Sequence, residues 1–253
     1  MKQIIVNADD FGINEVVTAE IKRMIELGAI SSTTVMANGA CLDEVKRFAS
    51  LHPEVSFGVH LCLSEFGSIT KSEGLYKAGI TDENGNFVHK AVFGLNNLND
   101  AGVRKTIKEE LNAQIDVVTG LGFPVSHADS HHHVHTICPL KELFTEVLQK
   151  HGIKKVRLGG DFNTLRMKMH LWQWLSRVRL NSYYREQFCT TNKFSSYSGF
   201  VNSGRKMSDN QTIELMCHPG HPGRLYRDEM ILVEHKVAIK DKDFRLITYN
   251  ELY

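Results

Sequence analysis

No stretch of this 253-residue sequence approaches the roughly 20 consecutive apolar residues that a membrane span needs, so no membrane partner is expected. Charge of one sign is also missing: 30 Lys and Arg against 29 Asp and Glu leave a net charge of +1. That balance argues against a nucleic-acid or membrane-surface partner recruited by bulk electrostatics. Cysteine is sparse and unpatterned. The five residues Cys41, Cys62, Cys138, Cys189 and Cys217 are an odd, scattered set without a C-x-x-C, which favours a reducing, cytoplasmic compartment. The chain opens on a strand-like Gln3-Ile4-Ile5-Val6 rather than a leader, so no signal peptide is expected. Internal repeats, low-complexity segments and linkers are lacking too, which predicts a single domain over 1–253.

What is present alternates. The pattern predicts strands over Ile4–Asn7, Ser32–Met36, Val55–His60, Pro124–Ala128, Lys155–Leu158, Glu214–Cys217 and Phe244–Thr248. Between them lie amphipathic helices carrying Val17, Ile21, Met24 and Ile25; then Val103, Ile107, Leu111 and Ile115; then Leu140, Leu143, Phe144 and Val147. Such a rhythm at this length predicts a (β/α) barrel resembling a TIM barrel, with irregular strands or fewer than eight of them allowed. Two segments resist the pattern. Residues 64–100 are Gly- and Asn-rich, too long for an ordinary connection, and read as a lid or substrate-facing excursion. Residues 162–185 carry five basic residues, none acidic, among Trp172, Trp174, Tyr183 and Tyr184; solvated arginines over packed aromatics are the plain reading.

The chemistry concentrates at predicted strand ends, where barrels hold their active sites. Five of thirteen histidines fall within Ser126–His135, together with Asp129. Imidazole and carboxylate are the donors that borderline divalent metals choose. Here His127, His131 and His135 follow helical spacing while His131 and His133 follow strand spacing, so spacing leaves open which of them bind. Asp129 is a candidate to fix an imidazole tautomer from behind, and His127 and His133 are candidates for that role or for substrate contact. The adjacent Asp9 and Asp10 reach one cavity only if the strand ends there and Gly12 lets the backbone turn; an Asx-turn is the plainer alternative. His60 ends a buried run, where a hydrogen-bonded core histidine is the plainer alternative. His218 sits before Pro219-Gly220, a turn that would hold an imidazole over the barrel mouth, and His221-Pro222-Gly223 repeats the triplet.

Taken together, Asn7-Ala8-Asp9-Asp10-Phe11-Gly12, Gly58-Val59-His60, His127 to His135 and Met216-Cys217-His218-Pro219 resemble the YdjC-like family of carbohydrate deacetylases, whose characterised activity is chitin-disaccharide (chitooligosaccharide) deacetylation. The resemblance implies a barrel-like α/β fold and a divalent metal, magnesium or zinc. It carries metal ligation onto Asp10, His60 and His131, the general base onto Asp9, and a proton donor onto His218. It further implies a metal-dependent hydrolase that removes an N-acetyl group from an acetylated amino sugar or short oligosaccharide and releases acetate, with a small carbohydrate as partner and a homodimer left open. Two rivals stand beside it. His127-x-Asp129 with distant His218 has the form of a two-histidine, one-carboxylate iron oxygenase site. A non-catalytic metal- or sugar-binding protein needs the ligands but has no use for Asp9 or His218.

Overall fold

The computed structural model describes residues 1–160, 171–204, 206–240 and 243–253. In chain order the elements are β1 (Lys2–Phe11), α1 (Glu15–Glu26), β2 (Ser32–Val35), α2 (Leu42–Leu51), β3 (Ser56–Leu61), α3 (Glu73–Lys77), α4 (Ala101–Thr119), β4 (Ala128–Ser130), α5 (Lys141–Lys150), α6 (Leu171–Gln187), β5 (Lys193–Ser196), α7 (Tyr197–Asn202), β6 (Thr212–Cys217), α8 (Arg224–Glu234) and β7 (Phe244–Leu246). All strand pairs are parallel. The sheet runs β4-β3-β2-β1-β6-β5, with β7 on β1. Beyond β4, single bridges carry the pairing to Lys155 and Val156 and on to Cys189, four residues before β5 begins. The sheet is therefore a strongly curled half-barrel surrounded by helices, as the βα rhythm predicts, with seven strands among the described residues.

Local sequence explains most of the elements. Asn14 caps α1 by accepting from the Val17 amide, the stripe Val17, Ile21, Met24 and Ile25 is buried, and Gly28 ends the turn at φ +64°. Asp100 caps α4, whose predicted stripe of Val103, Ile107, Leu111 and Ile115 is buried. The same helix buries two polar side chains with a purpose. Gln114 exchanges hydrogen bonds with the Cys62 backbone, and the Glu110 carboxylate accepts from the Ile69 and Thr70 amides. They pin the start of the 64–100 segment, which has α3, short bridges at Gly67–Asn86 and Thr81–Phe87, and its own buried Leu75, Ile80 and Val92.

Two expected strands differ from the pattern. The strand expected over 124–128 begins at Ala128 and runs into the histidine cluster. Lys155–Leu158 forms single bridges rather than a regular strand. β5 and α8 were not expected, because Lys193-Phe194-Ser195-Ser196 has a single apolar residue and α8 follows a turn-rich segment. Of the basic aromatic segment, Arg166 and Lys168 lie outside the described residues; its last part forms α6, with Tyr184 buried and donating to the His135 carbonyl.

Candidate active site

The polar motifs converge at the C-terminal ends of β1, β3, β4 and β6. They surround a cavity of about 420 Å³ lined by Asp9, Asp10, His60, His131, His133 and His218, with Glu65, Ser130, His132, Met216, His221 and Tyr226 completing the wall. Neighbouring Asp9 and Asp10 both reach it through a device the sequence reading placed elsewhere. The β1–β2 register shifts between Ala8 and Phe11, and Asp10 itself takes φ +70°. A bulge within the strand, rather than its end or Gly12 alone, swings the second carboxylate onto the face of the first. Left-handed backbone at a non-glycine residue is uncommon and costs about 1–3 kcal/mol, though aspartate tolerates it better than most.

The histidine cluster follows neither helical nor strand spacing. His132 and His133 are both left-handed, at φ +51° and +57°. Three successive imidazoles are thereby folded against the cavity. His131 places Nδ1 2.9 Å from Asp10 Oδ1 and Nε2 2.9 Å from Glu65 Oε2. His60 places Nε2 3.1 Å from the same Asp10 oxygen, and its Nδ1 donates to Asp129 Oδ1 at 2.6 Å. The β3–β4 register sets this last contact, since His60 and Asp129 are direct partners across the ladder. His221 adds a third imidazole, with Nε2 3.0 Å from Asp10 Oδ2 but without the alignment of a hydrogen bond.

Asp10, His60 and His131 offer donor atoms close enough to hold one ion. A tetrahedral ion with bonds of 2.0–2.2 Å requires donor separations of about 3.3 Å, close to those seen here. The tautomer fits as well. Because Asp129 accepts from His60 Nδ1, a neutral His60 turns its Nε2 lone pair toward Asp10, an arrangement that a cation between them resolves. Glu65 and Asp129 hold the far nitrogens of the two imidazoles, the carboxylate–histidine pattern of metal sites. The residues present thus fit a divalent metal. Burial opposes charge at both His60 and Asp10, yet the contacts with Asp129 and Asp10 hold the His60 pKa well above its ordinary value, and the imidazoles hold Asp10 well below its own.

Beneath this set lies Arg157, fully buried. Its guanidinium donates to both Asp9 oxygens at 2.7 and 2.6 Å, to Glu214 at 2.7 Å, and pairs with Asp129 at 2.6 Å. Burial alone would raise the Asp9 pKa; Arg157 reverses this and holds the carboxyl well below the usual carboxylate range. Glu214, which also accepts from the Tyr249 hydroxyl, is pushed up to about 7 by burial despite Arg157. One guanidinium therefore ties β1, β4 and β6 together inside the curled sheet.

The remaining candidates separate. His218 lies at the cavity wall with Nε2 4.0 Å from Asp9 and Nδ1 4.0 Å from Glu229, whose carboxylate also accepts from the His218 amide. The turn behind it needs its glycine. Gly220 is at φ +76°, and a Cβ there would come within 2.9 Å of the α1 backbone at Val17. His133 is half-buried, its pKa pushed down to about 3 by desolvation and by Arg157, and its Nδ1 has no hydrogen-bond partner. His127 lies below the cavity rather than in it. Its nitrogens face Ser126 and Asn7, and its ring stacks on Tyr249 at 3.7 Å. His127, Asp129 and His218 hence do not share a common point, and the iron-oxygenase arrangement finds no support. Arg157, Glu65, His221 and Glu229 escaped the sequence reading. Of these only His221 left a trace, as the repeat of the His218 triplet.

The YdjC-like protein family matches residues 3–250. The chain belongs to that family. This YdjC-like protein is 29% identical to a carbohydrate deacetylase of Halalkalibacterium halodurans, over 97% of this chain and 95% of that one. It is 26% identical to a carbohydrate deacetylase of Brevibacillus brevis over 99% of both, and 29% identical to one of Geobacillus stearothermophilus over 98% and 97%. A crystal structure from Enterococcus faecalis shares the fold, with a TM-score of 0.75 and 22% identity over 98% of both chains. Among the described residues of this YdjC-like protein, no helix is long and apolar enough to cross a membrane.

Proposed function

We propose that this protein is a metal-dependent carbohydrate deacetylase, one domain over 1–253, that hydrolyses the acetamide of an N-acetylated amino sugar or short oligosaccharide such as a chitin disaccharide. The observation that carries the reading is the pairing of two carboxylates in one cavity: Asp10 faces three imidazoles while Asp9, beside it, faces a guanidinium. The carbohydrate deacetylases to which the chain is similar end to end support it.

Asp10, His60 and His131 would hold the ion, magnesium or zinc, with Asp129 and Glu65 fixing the two rings. A divalent cation bound there supplies Lewis acidity to the acetamide carbonyl and lowers the pKa of nearby water. Asp9 is the base that takes the proton of the attacking water. Arg157 fixes it by two hydrogen bonds and keeps it ionised, at some cost in basicity, so that position does most of the work. His218 gives a proton to the departing sugar amine, a poor leaving group unless protonated, and Glu229 orients the ring. His133 and Tyr226 face the space left for the sugar. Water is cleaved across the C–N bond, giving acetate and a free amino sugar. Five free cysteines support a reducing, cytoplasmic setting. The test is acetate release from a panel of N-acetylated mono- and oligosaccharides with and without added magnesium or zinc. Turnover of at least one substrate is expected; no acetate from any of them in metal-replete protein would overturn the reading.

A further inference from the structure

The face of β1 that carries Asp9 also carries Asn7 and Ile5, because alternate residues of a strand share a face. The β1–β6 register sets Glu214 beside Ile5. Barrel interiors are ordinarily filled by branched apolar side chains. Here the layer beneath the cavity holds Asn7, His127, Arg157, Glu214 and Tyr249, all fully buried. A buried ionic cluster returns little stability for the hydration it gives up, so stability alone is a poor account of this layer.

Two arms run from Tyr249 to Asp9. In the first, the Tyr249 hydroxyl donates to Glu214 Oε2, Glu214 Oε1 accepts from Arg157 Nε at 2.7 Å, and the same guanidinium donates to both Asp9 oxygens. The second starts from the Tyr249 ring, which lies flat on His127, with centroids 3.7 Å apart and planes 10° from parallel. Burial holds the His127 pKa well below its ordinary value, so the ring is neutral and has one hydrogen to place. Its Nε2 is 3.2 Å from Asn7 Oδ1, a carbonyl oxygen that can only accept, so Nε2 carries that hydrogen and Nδ1 faces the Ser126 hydroxyl as an acceptor. With its oxygen so fixed, the Asn7 amide donates to Asp9 Oδ1 at 2.9 Å. Oδ1 therefore receives both Arg157 and Asn7, while Oδ2, the oxygen 4.0 Å from His218, receives Arg157 alone among the described residues. Tyr249 is itself anchored. Its amide donates to the Ser56 hydroxyl, its carbonyl accepts from Lys155, and Thr248 and Glu251 close a capping box around its turn.

We propose that Tyr249 is a positioning residue for Asp9, acting through Glu214 and Arg157 with its hydroxyl and through His127 and Asn7 with its ring. This role rests on the deacetylase reading, with Asp9 as its base.

The test is a kinetic cycle on metal-replete protein, with Tyr249→Phe and Tyr249→Leu each made in wild type and in Asp9→Asn. Tyr249→Phe cuts the first arm and keeps the ring stack; Tyr249→Leu cuts both. A small misplacement of a reacting group by a remote change can cost up to ~10²-fold, so kcat should fall roughly 3- to 10-fold for the first and roughly 10- to 100-fold for the second. KM and metal content should stay near those of wild type, and elemental analysis and thermal unfolding report metal content and folding on the same samples. In Asp9→Asn neither substitution should cost further kcat, because groups that act as a unit are not additive. A merely structural Tyr249 would cost the same factor in both backgrounds. Should Tyr249→Leu fail to fold, Tyr249→Phe decides through the same cycle. An unchanged kcat in Tyr249→Phe, or equal losses with and without Asp9, overturns the proposal. Absence of acetate release by wild type is a separate outcome, which removes the deacetylase reading and this role with it.

Discussion

Replacing Arg157 by methionine keeps much of the side chain's length and removes the guanidinium that contacts Asp9, Asp129 and Glu214 at once. All four groups are buried. Deleting one partner of a buried ion pair costs about 3–5 kcal/mol because the other charge is left without compensation. At about 2–4 °C per kcal/mol for a chain of this size, the melting temperature should fall by roughly 6–20 °C. The deficit should depend on pH in a definite sense. In wild type, Arg157 holds the Asp9 pKa below its unfolded value, so that contribution is present above the unfolded pKa and is lost only in strong acid. Without Arg157, burial outweighs what is left, the Asn7 amide and the more distant His60 and His218, and the folded pKa rises above the unfolded one. The penalty then grows as pH rises from the unfolded value through the folded one, and it shrinks toward pH 4–5. Arg157→Lys keeps the charge but cannot make the two-pronged contact with Asp9 while also reaching Glu214, and should fall between the two. Calorimetry of the apo proteins at pH 5 and pH 8 provides the assay. A loss under 2 °C for Arg157→Met, or a larger loss at pH 5 than at pH 8, would refute this account of the buried cation.

Asp9→Asn should lower acetate release by about 10²–10⁴-fold with metal still bound, as measured by kinetics and elemental analysis on one sample; near-normal turnover would make Asp9 structural. His218→Ala should depress kcat more than KM and should spare an activated acetate ester relative to an acetamide, since the ester's leaving group needs little protonation; equal losses on both would leave His218 a positioning residue. Gly58→Ala should lower stability by about 1–3 kcal/mol in denaturant titration, because its Cβ would sit 2.6 Å from the His127 ring and 2.7 Å from the His127 carbonyl oxygen, where neither neighbour can give way. An unchanged midpoint would show that β3 and β4 can part at little cost.

The architecture and the convergence of motifs were legible in the sequence because both depend on short-range pattern. The apolar stripes of α1 and α4 and the β-branched runs of β1, β3 and β6 announce themselves locally, and polar residues at strand ends share one mouth in any parallel barrel. Geometry within the motifs was less accessible. Asp9 and Asp10 were read as needing a strand end and Gly12, whereas a bulge and a left-handed Asp10 achieve the same result. Two left-handed histidines likewise defeat both periodicities that could be tested on the cluster. The least legible residues were those whose meaning lies in distant partners. Arg157 lies 148 positions from Asp9, and nothing in its neighbours distinguishes a fully buried cation from a solvated one. Glu65 belongs to a segment without periodicity, and His221 looked like a second copy of a turn.

The measurement closest to the central claim is acetate release by wild type and Asp10→Asn, each stripped of metal and then reloaded with magnesium or zinc, on an N-acetylated chitin disaccharide and its monosaccharide. Among the described residues Asp10 pairs with His60, His131 and His221 and with no other charged side chain, so its loss should act through the metal. The account expects stripped wild type to be inactive and to recover on reloading, while Asp10→Asn binds less metal and stays inactive at the same free concentration. Full activity in the stripped protein, or an Asp10→Asn variant that matches wild type in metal content and acetate release, would contradict it.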